Sequence, residues 1–255
     1  MSLELLEFRF PGVDNVRCVF TTRRGGKSQG RFAQANMSLE VGDDEEAVRA
    51  NREELRRALG LAAWQELVQV HGQDMHMNLE DDFFTAPVLR GDGLCTGQSG
   101  HGLVIKTADC QAILLTDEDG LHVLLHAPGR RVVAAVHCGW RGNAGNFPGN
   151  AVRRFCAGYG VDPVQVLAVR GPSLGPGKSE FVNFSSEWPP TFRSCFNPQT
   201  RRMDLWTLTR NQLMGAGIPA RNIFSIDLCT ASSGQFFSYR RDHVTGRQTG
   251  VIWKE

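Results

Sequence analysis

Three residues able to bind zinc, His71, Cys110 and His137, each lie at the edge of an apolar stretch. Catalytic zinc has three protein ligands in a tetrahedron and keeps its fourth position for water or substrate. The intervals of 39 residues (110 − 71) and 27 residues (137 − 110) are too long for a zinc finger or ribbon. Seven histidines and seven cysteines offer many such triples. The spacing alone is therefore a weak signal, and the fold would have to assemble such a site.

The composition is that of an ordinary globular protein. The chain has 255 residues, of which 41% are hydrophobic and 22% are charged. Lys and Arg number 28 against 27 Asp and Glu, so the net charge gives no support to a nucleic-acid partner. One domain covering residues 1–255 fits this length.

The sequence also gives expectations about the compartment. Charged residues interrupt the apolar positions of residues 1–20, so we expect no signal or transit peptide. No apolar run of about 18 residues could span a bilayer. Seven scattered cysteines are typical of free thiols rather than of a disulfide framework. A cytoplasmic protein without a membrane partner is the expectation.

Periodicity predicts both helices and hairpin-connected strands. Helices are predicted at residues 43–59, capped by Asp43 or Asp44, and at 147–159 and 205–216. Strands are predicted at residues 16–21, 67–70, 103–106, 112–116, 121–126, 131–136, 164–169 and 222–226. Asp-Gly at 119–120 and Pro-Gly at 128–129 are turn signals. The fold class predicted is α+β, a layered sandwich of mixed β-sheets flanked by helices.

The first helix carries a run of arginines toward its C-terminal half. Arg52, Arg56 and Arg57 are interpreted as a solvated helix face, which is the usual place for such a run.

Nine short segments follow one another in a fixed order along the chain. They are TTRRGGKS at 21–28, VGDD at 41–44, NR at 51–52, QVHG at 69–72, GDGL at 91–94, TADC at 107–110, HCGWRG at 137–142, GPSLG at 171–175 and FFSYRR at 236–241. In this order they resemble the YfiH/YlmD family, and the similarity extends from about residue 20 to residue 252. That family was first described as multicopper polyphenol oxidoreductase (laccase-like) and then as purine nucleoside phosphorylase with adenosine deaminase activity.

The resemblance implies that His71, Cys110 and His137 hold a zinc ion, with copper not excluded. It also implies two reactions on small nucleosides. One is phosphorolysis of inosine, guanosine, adenosine or methylthioadenosine, and the other is hydrolytic deamination of adenosine. Zinc suits the deamination because it lowers the pKa of a bound water to about 7. Each ligand alone has a structural alternative, a packed side chain at a strand end.

Phosphorolysis also needs an anion site. Arg23, Gly25, Gly26 and Ser28 are candidates for a phosphate cradle, because a guanidinium and a glycine-rich turn both offer N–H donors. The alternative is a tight surface turn. Asn36 occupies the place of a family asparagine that could bind ribose or base, or it could simply form a turn.

Two acidic residues, Asp92 and Asp109, are candidates for proton transfer. Asp109 precedes Cys110 and could instead orient a ligand or cap the turn after a strand. Asp92 lies between two glycines and could be a turn residue alone.

Aromatic and basic residues follow the proposed ligands. Trp140 could stack on a purine or plug the core, and Arg141 could hold phosphate. Arg240 or Arg241 could close the site from the C-terminal side, whereas Phe236 and Phe237 are interpreted as core.

The sequence leaves rival functions open. Cys110 activated by a histidine could be the nucleophile of a hydrolase or amidase of the type that edits peptidoglycan precursors. A laccase-like polyphenol oxidase is disfavoured because residues 177–182 lack the accessory cysteines of many relatives. A module that senses nucleotides without turning them over is the non-enzymatic alternative. The oligomeric state is not predicted.

Overall fold

The computed structural model describes residues 2–118 and 131–255. Its strands are β1 Leu5–Phe8, β2 Val16–Thr21, β3 Ala63–Gln65, β4 Met75–Met77, β5 Gly93–Thr96, β6 His101–Thr107, β7 Gln111–Asp117, β8 Val133–Cys138, β9 Val166–Arg170, β10 Phe196–Asn197, β11 Arg202–Met203, β12 Ile223–Ser225 and β13 Gln248–Lys254. Its helices are α1 Glu45–Leu59, α2 Trp140–Ala144, α3 Phe147–Tyr159, α4 Phe184–Glu187, α5 Leu205–Gly215 and α6 Tyr239–Asp242. Short 3₁₀ helices occupy Gly30–Phe32, Pro163–Gln165, Pro190–Cys195 and Ala220–Asn222.

Two mixed sheets form the centre of the molecule. One has the strand order β1-β2-β13-β6-β3, and the other has the order β12-β9-β7-β8-β5-β4. Their facing sides share one hydrophobic core, to which Ile105 and Ile252 contribute from the first sheet and Leu114 and Val169 from the second. The predicted α+β layering of mixed sheets and helices is confirmed.

Helices cover the outer face of each sheet. In α3 and α5, Phe155 and Leu213 pack on the six-stranded sheet, and in α1, Leu55 packs on the five-stranded sheet. Alternate residues of β7 therefore enter different cores: Ile113 lies on the helix side and Leu114 between the sheets. This double coverage explains why β7 is buried along its whole length.

The three predicted helices are confirmed, and the first cap is resolved. The Asp44 carboxylate accepts the Ala47 N–H at 2.8 Å, so Asp44 rather than Asp43 caps α1. Within the described residues, no helix is both long and apolar enough to cross a membrane.

The predicted strands have mixed outcomes. The strand predicted at 67–70 is wrong, because β3 ends at Gln65 and only an isolated bridge from Val68 to Arg90 follows. Strand β13, which pairs with both β2 and β6, was not predicted from the sequence. The strand predicted at 121–126 and both turn signals lie outside the described residues.

The interpretation of Arg52 as a solvated residue is wrong. Its side chain is fully buried, and Nη2 donates to both carboxylate oxygens of Glu66 at 2.7 and 2.9 Å. Its other donors reach the carbonyls of Met37 and Phe84. Glu66 is buried too and also pairs with Lys106 at 3.1 Å. The buried charge of Arg52 is tolerated because each of its three guanidinium nitrogens has an acceptor.

We expect Arg52→Met to lower the free energy of unfolding by about 3 kcal/mol, because Glu66 would lose the buried cation that contacts both of its carboxylate oxygens. Arg49→Met is the matched control. Arg49 lies on the same helix, pairs with Glu45 and is 41% exposed, so its loss should cost less than about 0.5 kcal/mol. Urea denaturation of both variants measures the difference, and equal losses would contradict this account of the buried pair.

Candidate metal centre

Strand pairing and one loop bring His71, Cys110 and His137 together. Cys110 lies in the turn between β6 and β7, directly before Gln111, and Gln111 pairs with Cys138 in β8. His137 therefore lies beside Cys110. The three ligand atoms lie within 4.8 Å of one another, and Cys110 Sγ is 3.8 Å from His71 Nε2.

The Asp92 carboxylate holds two of these residues in place. His137 Nδ1 lies 2.7 Å from Asp92 Oδ1, which leaves the other ring nitrogen of His137 to face a metal. The backbone N–H groups of His71 and Gly72 donate to the same carboxylate at 3.0 and 2.7 Å. His71 has a φ of +59°, a left-handed conformation that these hydrogen bonds stabilise.

The backbone next to His137 is shaped to the three side chains. A Cβ on Gly139 would lie 3.0 Å from His71 Cδ2 and 3.1 Å from Cys110 Sγ, so only glycine fits without displacing them. Cys138 is 1% exposed and packs into the core on the helix side, as the alternation along a strand predicts.

The electrostatics favour the thiolate form of Cys110. Burial acts to raise its pKa, but the charge of His137 and hydrogen bonds from both histidines outweigh burial and lower the pKa well below the usual thiol value. In His137, burial acts to lower the pKa, while the charge of Cys110 and the Asp92 hydrogen bond raise it. The thiolate is the form of cysteine that binds metal ions.

The three residues open onto a cavity of about 520 Å³, within the size range typical of small-molecule sites. Its lining residues fall into an apolar and a charged group. Trp140, Leu174, Phe181 and Leu205 are apolar, and Trp140 packs against Phe181 with ring centroids 6.0 Å apart. The charged and polar lining includes Ser38, Glu40, Gln69, Lys106, Asp109, Gln111, Arg141, Tyr239, Arg240 and Arg247.

Asp109, Trp140, Arg141 and Arg240, four of the site residues predicted from the sequence, thus line the cavity. Asp109 has a φ of +90°, and its two carboxylate oxygens accept the Thr230 hydroxyl at 2.6 Å and the Arg240 N–H at 2.5 Å. Asp109 therefore ties the C-terminal segment to the turn that carries Cys110. Phe236 and Phe237 are fully buried, as expected.

Asp92 does not line the cavity. It is fully buried, and its pKa is held below the usual carboxyl value: burial acts to raise it, but the His137 bond and charge and the backbone N–H groups outweigh burial. A carboxylate with these contacts orients His137 and does not reach a substrate proton.

The residues of the predicted phosphate cradle are not brought to this cavity. Arg23 donates from Nε to the Ala33 carbonyl at 2.8 Å and lies over the Phe237 ring. Gly25 and Gly26 make close backbone contacts: a Cβ on Gly26 would lie 2.5 Å from Ala35 Cα. These contacts pack the segment tightly against the neighbouring backbone and side chains.

Ser28 and Asn36 are buried away from the cavity too. The Ser28 hydroxyl accepts the Asn51 side-chain amide at 3.1 Å. Asn36 Oδ1 accepts the N–H groups of Ser38 and Arg247 at 3.0 and 2.9 Å. Because Ser38 and Arg247 line the cavity, Asn36 supports its wall rather than facing a ligand.

Several lining residues were not predicted as site residues, among them the charged and polar residues Glu40, Lys106, Gln111 and Arg247. Lys106 and Gln111 flank the TADC segment, so their position in the sequence close to Cys110 could have indicated that they lie at the site. Lys106 Nζ pairs with Glu40 at 2.8 Å and with the buried Glu66 at 3.1 Å. Arg247 directly precedes β13, which the sequence analysis did not predict.

A family model described as multi-copper polyphenol oxidoreductase laccase matches residues 17–255. Purine nucleoside phosphorylase YlmD of Geobacillus stearothermophilus is 34% identical over 252 residues, covering 91% of this chain and 88% of that protein. Purine nucleoside phosphorylase YfiH of Escherichia coli is 29% identical, with 98% of each chain covered.

Solved structures show the same fold. A Neisseria meningitidis protein matches with a TM-score of 0.83 and 30% identity over 98% of this chain and 99% of that one. Crystalline YlmD from Geobacillus stearothermophilus matches with a TM-score of 0.81 and 30% identity over 96% and 94% of the two chains. The fold, the segment order and the arrangement of His71, Cys110 and His137 lead to one assignment: this chain belongs to the YfiH/YlmD family.

Proposed function

We propose that this protein is a zinc-dependent purine nucleoside phosphorylase that also deaminates adenosine in the same cavity. One observation carries the proposal. A three-residue metal-ligand set opens onto a cavity whose lining combines an apolar aromatic group, named here the apolar wall, with a cationic group, named here the charged wall. The names of the relatives support the phosphorylase reaction, and the zinc dependence and the deamination are our extension.

The donor set fits zinc. Zn–N bonds of about 2.1 Å and Zn–S bonds of about 2.3 Å place tetrahedral ligand atoms about as far apart as Cys110 Sγ and His71 Nε2, which are separated by 3.8 Å. Among residues 2–118 and 131–255, no fourth His, Cys, Asp or Glu joins the group. Structural zinc sites normally have four protein ligands, so this set is of the open, catalytic kind. A bound zinc would supply Lewis acidity to a substrate oxygen or a water molecule.

The apolar wall suits the base of a nucleoside. Trp140, Phe181 and Leu205 belong to one hydrophobic cluster, and a flat aromatic base gains contact area against such a surface. The Arg141 guanidinium lies 4.4 Å from the Trp140 ring centroid and so covers the face of that ring. A base would therefore meet the exposed edge of this cluster.

The charged wall suits phosphate. Arg247 and Arg240 line the cavity beside Asp109, and both have fixed positions: Arg247 Nη1 donates to the Thr245 carbonyl at 2.8 Å, and Arg240 Nη1 donates to the Glu180 carbonyl at 2.8 Å. Guanidinium groups bind phosphate oxygens through paired N–H donors. Arg247 and Arg240 replace Arg23 as our proposed phosphate ligands.

Of Asp92 and Asp109, the two carboxylates considered for proton transfer, Asp109 is the one that faces the cavity. Asp109 lines the wall next to Cys110, whereas Asp92 is enclosed behind His137. We therefore propose Asp109 for proton transfer and Asp92 as a positioning residue for His137.

Replacing Cys110 tests the metal and the reaction together. We expect Cys110→Ala to lose bound zinc and phosphate-dependent release of hypoxanthine from inosine, because two histidines alone leave the site one ligand short. Cys195→Ala is the control, since Cys195 is also half-buried but does not line the cavity. Metal content by mass spectrometry and a nucleoside assay with and without phosphate give the answer. Unchanged turnover in a metal-free Cys110→Ala preparation would refute the proposal.

A pair of arginine variants locates the phosphate site. We expect Arg247→Met to raise the KM for phosphate at least tenfold, equivalent to about 1.4 kcal/mol of binding. Arg23→Met should leave that KM unchanged, because its guanidinium contacts Ala33 and Phe237 rather than the cavity. Initial rates over a phosphate series at saturating inosine measure both constants. A raised KM in Arg23→Met alone would restore the cradle predicted from the sequence.

A second candidate follows from the pairing of Cys110 with histidine. A half-buried thiol 3.8 Å from His71 Nε2 that opens onto a cavity is also the arrangement of a cysteine hydrolase. Stoichiometric zinc in the purified protein argues against a free thiolate nucleophile. Rapid alkylation of Cys110 at neutral pH in metal-free but active protein supports it.

A further inference from the structure

Gln111 carries a buried hydrogen-bond acceptor that none of the described residues satisfies. It begins β7, directly after Cys110, lines the cavity and is 2% exposed. Its amide oxygen Oε1 is buried and has no hydrogen-bond partner among the described residues. Buried polar atoms are nearly always paired, so this oxygen calls for a donor that the described residues do not supply.

A series of hydrogen bonds between side-chain amides determines which atom of the Gln111 amide has no partner. Gln212 Nε2 donates to the Asn143 backbone carbonyl, which can only accept, so Gln212 Oε1 is an acceptor. Asn143 Nδ2 donates to that oxygen at 2.9 Å and to Thr209 Oγ1 at 2.8 Å. Asn143 Oδ1 must then be an acceptor, and it takes the Gln111 Nε2 donor at 3.0 Å. The remaining atom is Gln111 Oε1.

The same contacts tie the Gln111 side chain to the two helices that carry the apolar wall. Asn143 belongs to α2, the helix that begins with Trp140, and Gln212 belongs to α5, the helix that begins with Leu205. Trp140 and Leu205 line the cavity and pack in one cluster. Gln111 is therefore tied to the elements that form the proposed base wall.

We propose that Gln111 Oε1 accepts a hydrogen bond from the base of the substrate, either the N1–H of a 6-oxopurine or the 6-amino group of adenine. This inference rests on the proposed function. Both groups occupy neighbouring positions on one edge of the purine ring, and both are donors. Because Nε2 is held by Asn143, Gln111 presents only an acceptor, and a purine without a donor at positions 1 and 6 leaves it unsatisfied.

The test compares hypoxanthine with unsubstituted purine, which lacks the N1–H and the 6-amino group. In wild-type protein we expect hypoxanthine to bind about tenfold more tightly than purine, as one net hydrogen bond provides. In Gln111→Met that preference should disappear through weaker hypoxanthine binding, with purine binding unchanged. Loss of the Asn143 contact alone would weaken both bases equally. Equilibrium binding by calorimetry or tryptophan fluorescence measures all four values.

Gln98→Met is the matched control, because Gln98 Oε1 is also buried without a partner among the described residues but Gln98 does not line the cavity. This variant should keep the wild-type preference. Equal effects of Gln111→Met on the two bases would show that Oε1 serves a buried water and would overturn the proposal. If Gln111→Met instead lost a preference for inosine over 2′-deoxyinosine, Gln111 would lie at the sugar, and the proposal would again be overturned.

Two further features keep the test decisive. If Gln111→Met fails to fold, the wild-type comparison stands alone, and equal affinities for hypoxanthine and purine overturn the proposal. Base binding needs no turnover, so it is scored separately from phosphorolysis. If the protein cleaves no nucleoside but still prefers hypoxanthine in a Gln111-dependent way, the proposed function is wrong and the inference about Gln111 stands.

Discussion

The Asp92 carboxylate is the constraint on which the candidate metal centre depends. His137 comes from a strand and His71 from a loop with a left-handed backbone, and Asp92 binds both, through the His137 ring nitrogen and the His71 N–H. Asp92 is itself fixed, because its carbonyl accepts the His137 N–H at 2.7 Å. A carboxylate placed in this way sets the orientation and tautomer of a histidine ligand before any metal binds. The loop and the sheet therefore form one unit at the cavity floor.

The family description as a laccase raises the question of copper. Oxidation of polyphenols coupled to reduction of oxygen requires several copper ions, and the described residues contain one group of three or more potential ligands. Two histidines and one cysteine suit a single copper ion as well as zinc, and elemental analysis distinguishes them. The lining of the cavity supports the proposed nucleoside substrates more directly, because it combines arginines with aromatic side chains. Under the proposed function, the arginines would bind phosphate and the aromatic side chains would contact the purine.

Sequence patterns predicted the structural features that depend on residues close together in the chain. The cap of α1 and the α3 boundaries follow from residue types within a few positions. The grouping of His71, Cys110 and His137 needed the ordered family segments, because gaps of 39 and 27 residues carry no geometric information. Arg52 was misinterpreted because its partner Glu66 lies outside the helix. Arg23 and Arg247 could not be ranked from sequence, since their distance from the cavity depends on how β13 inserts between β2 and β6. The role proposed for Gln111 could not be predicted from the sequence, because it depends on amide partners from two helices.

Stepwise reconstitution with zinc tests the central claim most directly. Wild-type protein is stripped with a chelator, zinc is added in substoichiometric steps, and phosphate-dependent release of hypoxanthine from inosine is measured at each step. The account predicts activity that rises in proportion to bound zinc and reaches its plateau at one ion per chain. Full activity in the metal-free protein, or a plateau that requires several metal ions per chain, would contradict it.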